Sequence, residues 1–242
     1  VVRFFSYPKV NKFKDRLCKA YSYAFRKFLP KTKLTSNLYA LSSFPSERRN
    51  ALIQELKSGK YDVVIGDHAP LATRLATIKK RLHGVKTIGW VHNSFEALYG
   101  NDSRYIGPEL KRHYVFQLRK LDATVVLCKH DAYSYHRYDQ RIKPIVIYNP
   151  LTLKAGEKSS GMSKKFLAVG RFSHLHKGFD LLIDAFHIFA QKNEEWILDI
   201  VGEGPEEELY RKKITDYGLE KRVFLHPFTN NIQQYYSAAQ ST

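Results

Sequence analysis

The chain has little cysteine, no long apolar run and a deficit of acid. Its two cysteines, Cys18 and Cys128, stand far apart in sequence. They supply no disulfide framework and fit no metal-ligand spacing, so a reducing compartment is the simpler reading. No uninterrupted apolar stretch approaches the ~20 residues of a bilayer span, and the opening residues do not read as a secretory leader. A soluble or membrane-peripheral protein is expected. Asp and Glu number 23 against 40 Lys and Arg, leaving a net charge of +17. That imbalance predicts attraction to something anionic: nucleic acid, an acidic membrane surface or a phosphorylated ligand. No nucleic-acid module is recognisable, so nucleic acid is not the expected partner. The sequon Asn101-Asp102-Ser103 is too short a pattern to rise above chance. No internal repeat or disordered composition appears; with 43% apolar residues in 242, the chain can bury a sizeable core.

What is present is a series of short, β-branched, nearly continuous apolar runs: "YDVVIGD", "KTIGWVH", "ATVVLC", "PIVIYNP", "KFLAVG", "WILDIVGEG" and "RVFLHPF". Runs of this kind predict strands covered on both faces, the pattern of a parallel sheet. Helical periodicity lies between several of them. After "KFLAVG", Phe179, Leu182, Ile183, Phe186 and Ala190 share one helical face. The alternation predicts an α/β layered fold. One composition break, "LTLKAGEKSSGMSKK", is polar and rich in Lys, Ser and Gly, and reads as a linker. It divides the chain into two expected domains, residues 1–150 and 151–242.

The segment "FLAVGRFSHLHKGFDLLIDAF" places Arg171 and Lys177 between a strand and a helix. In open α/β sheets, ligands bind at the carboxyl ends of strands, beside helix N-termini that favour anions. On spacing alone, a phosphate site and a pair of solvated loop cations are equal readings. "VGEGP" likewise serves either as a tight strand-to-helix turn or as a place of close backbone approach.

The run from "VGRFSHLHKGFDLLIDAF" through "WILDIVGEGPEEELY" to "RVFLHPFTNNIQQYYSAAQ" resembles the carboxyl-terminal domain of retaining GT-B glycosyltransferases of family four. The resemblance implies two Rossmann-like domains with parallel sheets facing across a cleft. It implies that Arg171 and Lys177 bind the diphosphate of a nucleotide-sugar donor, that Gly202, Glu203 and Gly204 lie near the nucleotide, and that Pro227 and Phe228 touch the base. Proline at 227 departs from the family's usual glycine and removes a backbone N–H, which puts base recognition by that amide in doubt. Upstream, "TIGWVHNSFEALY" resembles the segment whose histidine faces the donor sugar, which nominates His92; a lone strand-end His is otherwise more often structural. "IVIYNPL", with Asn149 and Pro150, resembles the family's exit from its first domain.

The resemblance thus implies a retaining hexosyltransferase that takes a sugar from a nucleoside diphosphate, with UDP the expected nucleotide, and passes it to a glycan or lipid-linked acceptor in cell-surface polysaccharide synthesis. A front-face mechanism without an enzyme nucleophile goes with it. No cofactor and no metal are expected; His174 and His176 form an H-x-H pair that lacks a third ligand. A non-catalytic anion-binding module and a glycogen- or sucrose-synthase-like enzyme are the alternatives.

Near the start, "YPKVNKFKDRLCKAYSYAFRKFLPKTK" interleaves basic with aromatic residues. It reads equally as a docking segment for an anionic membrane and as a surface helix with an aromatic core face. A cytoplasmic protein, peripheral on the inner face of the membrane, is expected. The chain opens without the family's first strand and Gly-rich loop and stops before its acidic motif, so an inactive internal fragment is expected, with bare apolar surface on "FLAVG" and "WILDIVG".

Overall fold

The computed structural model describes residues 4–100, 103, 105–151, 163–173 and 177–239. Seven strands alternate with helices among them, each strand inside one of the seven apolar runs. The chain forms two compact units, Val1–Pro150 and Leu151–Thr242.

The first unit begins with three helices, α1 (Lys12–Lys27), α2 (Lys33–Ser43) and α3 (Ser46–Ser58). Caps fix their starts. The Asn11 side chain accepts from the amides of Phe13 and Lys14, and Thr32 and Thr35 form a reciprocal capping box. Then follow β1 (Val63–Asp67), α4 (His68–Ile78), a 3₁₀ turn (Lys79–Arg81), β2 (Lys86–Trp90), α5 (Phe95–Tyr99), α6 (Pro108–Leu118), β3 (Ala123–Val126), α7 (Lys129–Tyr138) and β4 (Pro144–Val146). The sheet order is β1-β2-β3-β4, all parallel. All four β3 residues are buried, as a strand covered on both faces must be. The core gathers Phe44, Ile53, Leu75, Ile78, Leu118, Val126 and Tyr135, each worth roughly 1.5–3 kcal/mol of burial before the entropy of ordering is charged.

The second unit runs β5 (Lys165–Val169), α8 (Phe179–Ala190), β6 (Ile197–Val201), α9 (Glu207–Asp216), β7 (Val223–His226) and α10 (Gln233–Ala238), with parallel sheet order β5-β6-β7. The periodic face of α8 does what its spacing predicts: Phe179, Ile183, Phe186 and Ala190 are buried, and Leu182 is partly so. They meet Leu198, Ile200 and Tyr210, while Phe166 stacks on Trp196 at 4.6 Å between ring centres. Bare apolar surface on "WILDIVG" is not found, because β6 is buried from Leu198 to Val201. The central strand is flanked by β5 and β7, and Leu198 and Ile200 pack against α8 and α9. On β5 only Val169 is exposed. Of the expected linker, residues 152–162 lie outside the described residues, and Lys165 is the first residue of β5.

Helix α1 divides the two readings of the basic aromatic segment. Phe25 is fully buried, stacked on Tyr39 at 4.5 Å, and the Tyr21 hydroxyl donates to the Thr35 carbonyl. Phe13, Leu17, Tyr23 and Phe28 remain exposed. The core face therefore accounts for only part of the aromatic content.

Candidate functional site

In the second unit, the carboxyl ends of β5, β6 and β7 open onto a cavity of about 920 Å³. Val169, Gly170 and Arg171 line it from β5, Val201 to Gly204 from β6, and Phe228, Thr229, Ile232 and Tyr236 from the segment after β7. Five of the residues singled out from the sequence, Arg171, Gly202, Glu203, Gly204 and Phe228, thus border one space. Pro227 and Lys177 do not line it.

Backbone packing explains the glycines. The segments leaving β5 and β6 remain zipped beyond the strands, with the Gly170 amide donating to the Val201 carbonyl at 3.0 Å and the Phe172 amide to the Glu203 carbonyl at 2.8 Å. The Gly202 amide donates in turn to the His226 carbonyl at 2.9 Å. A Cβ on Gly202 would stand 1.9 Å from the Gly170 carbonyl oxygen, and one on Gly204 2.4 Å from that of Phe172. Neither residue tolerates a side chain, because its neighbour is backbone. The glycines of "VGEGP" thus admit the backbone that leaves β5, and the same segment forms part of the cavity wall.

Lys177 reaches the strand end by another route. Its amide donates to the Ser173 carbonyl at 3.0 Å, and its methylene stem crosses Gly170, where a built Cβ would meet Lys177 Cε at 3.0 Å. Arg171 and Lys177 are exposed, and no carboxylate among the described residues pairs with either. Just beyond Lys177, Gly178 adopts a left-handed conformation (φ 61°) and starts α8 without a side-chain cap. Two unneutralised cations beside an uncapped helix N-terminus form an arrangement that attracts an anion.

Sequence reasoning missed a polar line across this sheet. Asp199, buried in β6, accepts from His226 Nε2 of β7 at 2.7 Å and pairs with Lys165 Nζ of β5 at 3.3 Å. The signal was an acid inside "WILDIV", since a buried carboxylate requires partners.

In the first unit, His92 follows β2 and is exposed at the carboxyl end of its sheet. Its Nε2 lies 2.8 Å from Asp67 Oδ1 at the end of β1. The parallel register sets Asp67 opposite Trp90, so a side chain two residues further on can turn back to meet it. Trp90 stacks on the His92 ring, with centres 5.9 Å apart and planes 7° from parallel. His68, with φ 60°, brings its own ring within 5.1 Å of His92 and its Nε2 within 3.8 Å of Asp67 Oδ2. A left-handed backbone at a non-glycine residue carries strain that marks functional sites more often than chance. The carboxylate of Asp67, which can only accept, thus faces Nε2 of His92 at ion-pair distance. Asp67 and His68 were not read from the sequence; "GDH" at a strand end was the available signal.

No three of His, Cys, Asp and Glu come together as a metal site among the described residues, and His174 and His176 lie outside them. The sequon residues Asn101 and Asp102 lie outside them too.

Comparison with known proteins covers both units. Residues 15–154 match the family model described as Glycosyltransferase Family 4, and residues 152–241 match that of Glycosyl transferases group 1. An uncharacterised glycosyltransferase of Haemophilus influenzae is 28% identical over 215 residues, which is 84% of this chain; the chain spans 58% of that relative's length. Among solved structures, a mutant of S. aureus TarM in complex with Fondaparinux, alpha-GlcNAc-glycerol and UDP is similar in fold, with a TM-score of 0.62 at 18% identity, covering 79% of this chain and 39% of TarM. Anabaena HepE in complex with UDP and glucose gives a TM-score of 0.56 at 17% identity, covering 97% of this chain and 71% of HepE. At these identities the likeness is one of fold.

Proposed function

We propose, from the premise that this chain belongs to glycosyltransferase family four, that it transfers a hexose from a nucleoside-diphosphate sugar to a glycan or lipid-linked acceptor, with retention of configuration. The observation that carries the reading is the strand-end cavity of the second unit, with Arg171 on its rim, Lys177 beside it and neither cation neutralised by acid among the described residues. Breaking a glycosyl–phosphate bond leaves a diphosphate whose charge grows in the transition state. Arg171 grips two of its oxygens at once, and Lys177 adds a point charge. Phe228 and Tyr236 offer faces on which a base can stack.

UDP is the nucleotide we favour, because the TarM and HepE structures are described as UDP complexes. In the first unit His92, with Asp67 beside its Nε2, is the residue we assign to a sugar hydroxyl. No protein nucleophile enters the scheme. The leaving phosphate takes the acceptor proton on the face it departs from, and so configuration is kept. No metal or cofactor is invoked. The test is a calorimetric titration with UDP, GDP and ADP, followed by donor hydrolysis with the matching nucleotide-sugars. UDP binding that is lost in Arg171→Ala supports the reading; binding indifferent to Arg171 and Lys177 refutes it.

The acceptor side has its own supporting observation. The exposed Phe13 and Leu17 of α1 form a stripe beside Arg16 that Phe28, just past Lys27 and the helix end, extends, and on α2 the exposed Leu34, Leu38 and Leu41 recur at helical spacing. Among the described residues no helix is long and apolar enough to cross a membrane. The stripe suits peripheral docking on an anionic bilayer, where a lipid-linked acceptor or cell-surface polysaccharide precursor resides.

A further inference from the structure

A second cavity, of about 620 Å³, lies in the first unit. It is bordered by Lys33 and Asn37 of α2, Lys79 and Lys80 of the 3₁₀ turn, and Lys120. The turn precedes β2 and Lys120 precedes β3, so the cavity sits at the amino-terminal edge of the sheet. Asp67 and His92 stand at the opposite edge. Nothing in the proposed transfer uses this place.

We propose that this cavity is a separate anion site that takes a phosphate monoester. Four lysines border it, and among the described residues only Lys79 of the four pairs with a carboxylate, Asp122 at 2.7 Å. Lys120 is the built part of the site. Its ammonium donates to Asn37 Oδ1 at 2.8 Å and to Gln117 Oε1 at 2.6 Å. An ammonium only donates, so Gln117 must turn Nε2 the other way, toward Ser36 Oγ at 3.3 Å. Ser36 Oγ in turn lies 2.8 Å from His113 Nδ1, in hydrogen-bond contact. This chain anchors Lys120 in buried polar structure. Two of its three N–H groups are used, and no carboxylate among the described residues pairs with it. The third N–H is available to the cavity.

The electrostatics agree with the geometry. Burial first, then the cations of Arg119, Lys80 and Lys33, pull the Lys120 pKa down to about 8. Like charges held this close repel until a counter-ion arrives, and a dianion relieves several repulsions at once. Ala40, Leu41 and Ala76 make an apolar part of the wall, which suits an esterified phosphate with an uncharged portion.

The experiment is isothermal titration with inorganic phosphate at low ionic strength, using the wild type, Lys33→Ala/Lys80→Ala and Arg171→Ala/Lys177→Ala. Lys33 and Lys80 are exposed, so their removal leaves the fold intact by circular dichroism. The expected result is about a tenfold loss of phosphate affinity in Lys33→Ala/Lys80→Ala, the effect of two ionic contacts, with the same binding event retained in Arg171→Ala/Lys177→Ala. Affinity should also fall as pH rises through 8, where phosphate stays dianionic and Lys120 loses its proton; the groups facing Lys120 are Arg119 and His113 of α6 and its end, Lys33 of α2 and Lys80 of the turn. Unchanged affinity in Lys33→Ala/Lys80→Ala overturns the proposal. So does abolition of all phosphate binding by Arg171→Ala/Lys177→Ala, an outcome that leaves the reading of the second unit standing. Sedimentation with phosphatidylcholine vesicles that contain phosphatidic acid identifies the source. Capture that inorganic phosphate reverses in the wild type and Lys33→Ala/Lys80→Ala lacks assigns the site to a lipid headgroup; phosphate binding without such capture assigns it to a soluble ester.

Discussion

His92 Nε2 and Asp67 Oδ1 are 2.8 Å apart, although 25 positions separate them in the chain. The contact exists because β1 and β2 pair in parallel with Asp67 opposite Trp90. The Asp67 carboxylate thus faces Nε2 and is placed to orient the ring.

Asp67→Asn keeps the size of the side chain but offers an amide that can donate as well as accept. The His92 ring can then flip or change tautomer. Turnover is expected to fall about a hundredfold, the low end of what a misplaced proton-handling group costs, with the donor KM nearly unchanged and the fold intact. A parallel fall in His92→Ala that does not add to that of Asp67→Asn marks the two as one unit. Full activity in Asp67→Asn assigns the pair to structure alone.

Arg171→Ala and Lys177→Ala should each lower turnover by about 3–4 kcal/mol of transition-state stabilisation, as loss of one preorganised donor does. Arg171→Lys should recover only part of this, since an ammonium cannot grip two oxygens in a fixed fork. Thermal midpoints should move little, because both side chains are exposed and unpaired with acid among the described residues. Steady-state rates at saturating donor, set beside melting curves, test both statements.

These expectations rest on what sequence can and cannot carry. The strands were legible because each is a short β-branched run, and the inner face of α8 because Phe179, Ile183, Phe186 and Ala190 recur at the helical period. Both are local patterns. The pairing of Asp67 with His92, and of Asp199 with His226 and Lys165, depends on strand register, which no single segment encodes. Arg171 could be named from its place after a strand. That the Lys177 stem would lie across Gly170 while Lys177 stays outside the cavity lining depends on tertiary packing that the sequence motif does not encode. The cavity around Lys120 brings together lysines from three separate stretches of the sequence, Lys33, the Lys79–Lys80 pair and Lys120, whose meeting no one stretch encodes.

Acid should destabilise the first unit through His113. This ring is buried, hydrogen-bonded to Ser36 and near Lys120, and its pKa is pushed down to about 4, first by burial and then by the Lys120 charge. An unfolded histidine titrates near ~6.5. The folded state therefore binds fewer protons between those values, so the stabilisation is complete above pH ~6.5 and drains away as pH falls toward 4. The amount is on the order of 3 kcal/mol. Urea midpoints measured from pH 7 to 4.5 should decline in the wild type and decline less in His113→Asn. Parallel curves for the two proteins would remove His113 as the cause.

Gly202→Ala separates loss of the site from loss of a charge. The added methyl would lie 1.9 Å from the Gly170 carbonyl oxygen, and no rotamer relieves a clash with backbone. Relief requires the segments after β5 and β6 to part, which breaks the bonds from Gly170 to Val201 and from Phe172 to Glu203 and carries Arg171 away from its place. The expected cost is about 1–3 kcal/mol in stability, together with loss of UDP binding. Gly218→Ala is the control. Gly218 has φ 64° with open space where a Cβ would stand, so alanine there costs about 1–2 kcal/mol through backbone strain and leaves UDP binding alone. Two variants of similar stability should thus differ in ligand binding, one lacking it and one retaining it. Calorimetric titration with UDP at a temperature where both remain folded reads the difference. Equal binding in the two would mean that the zipped segments at the ends of β5 and β6 do not set the position of Arg171.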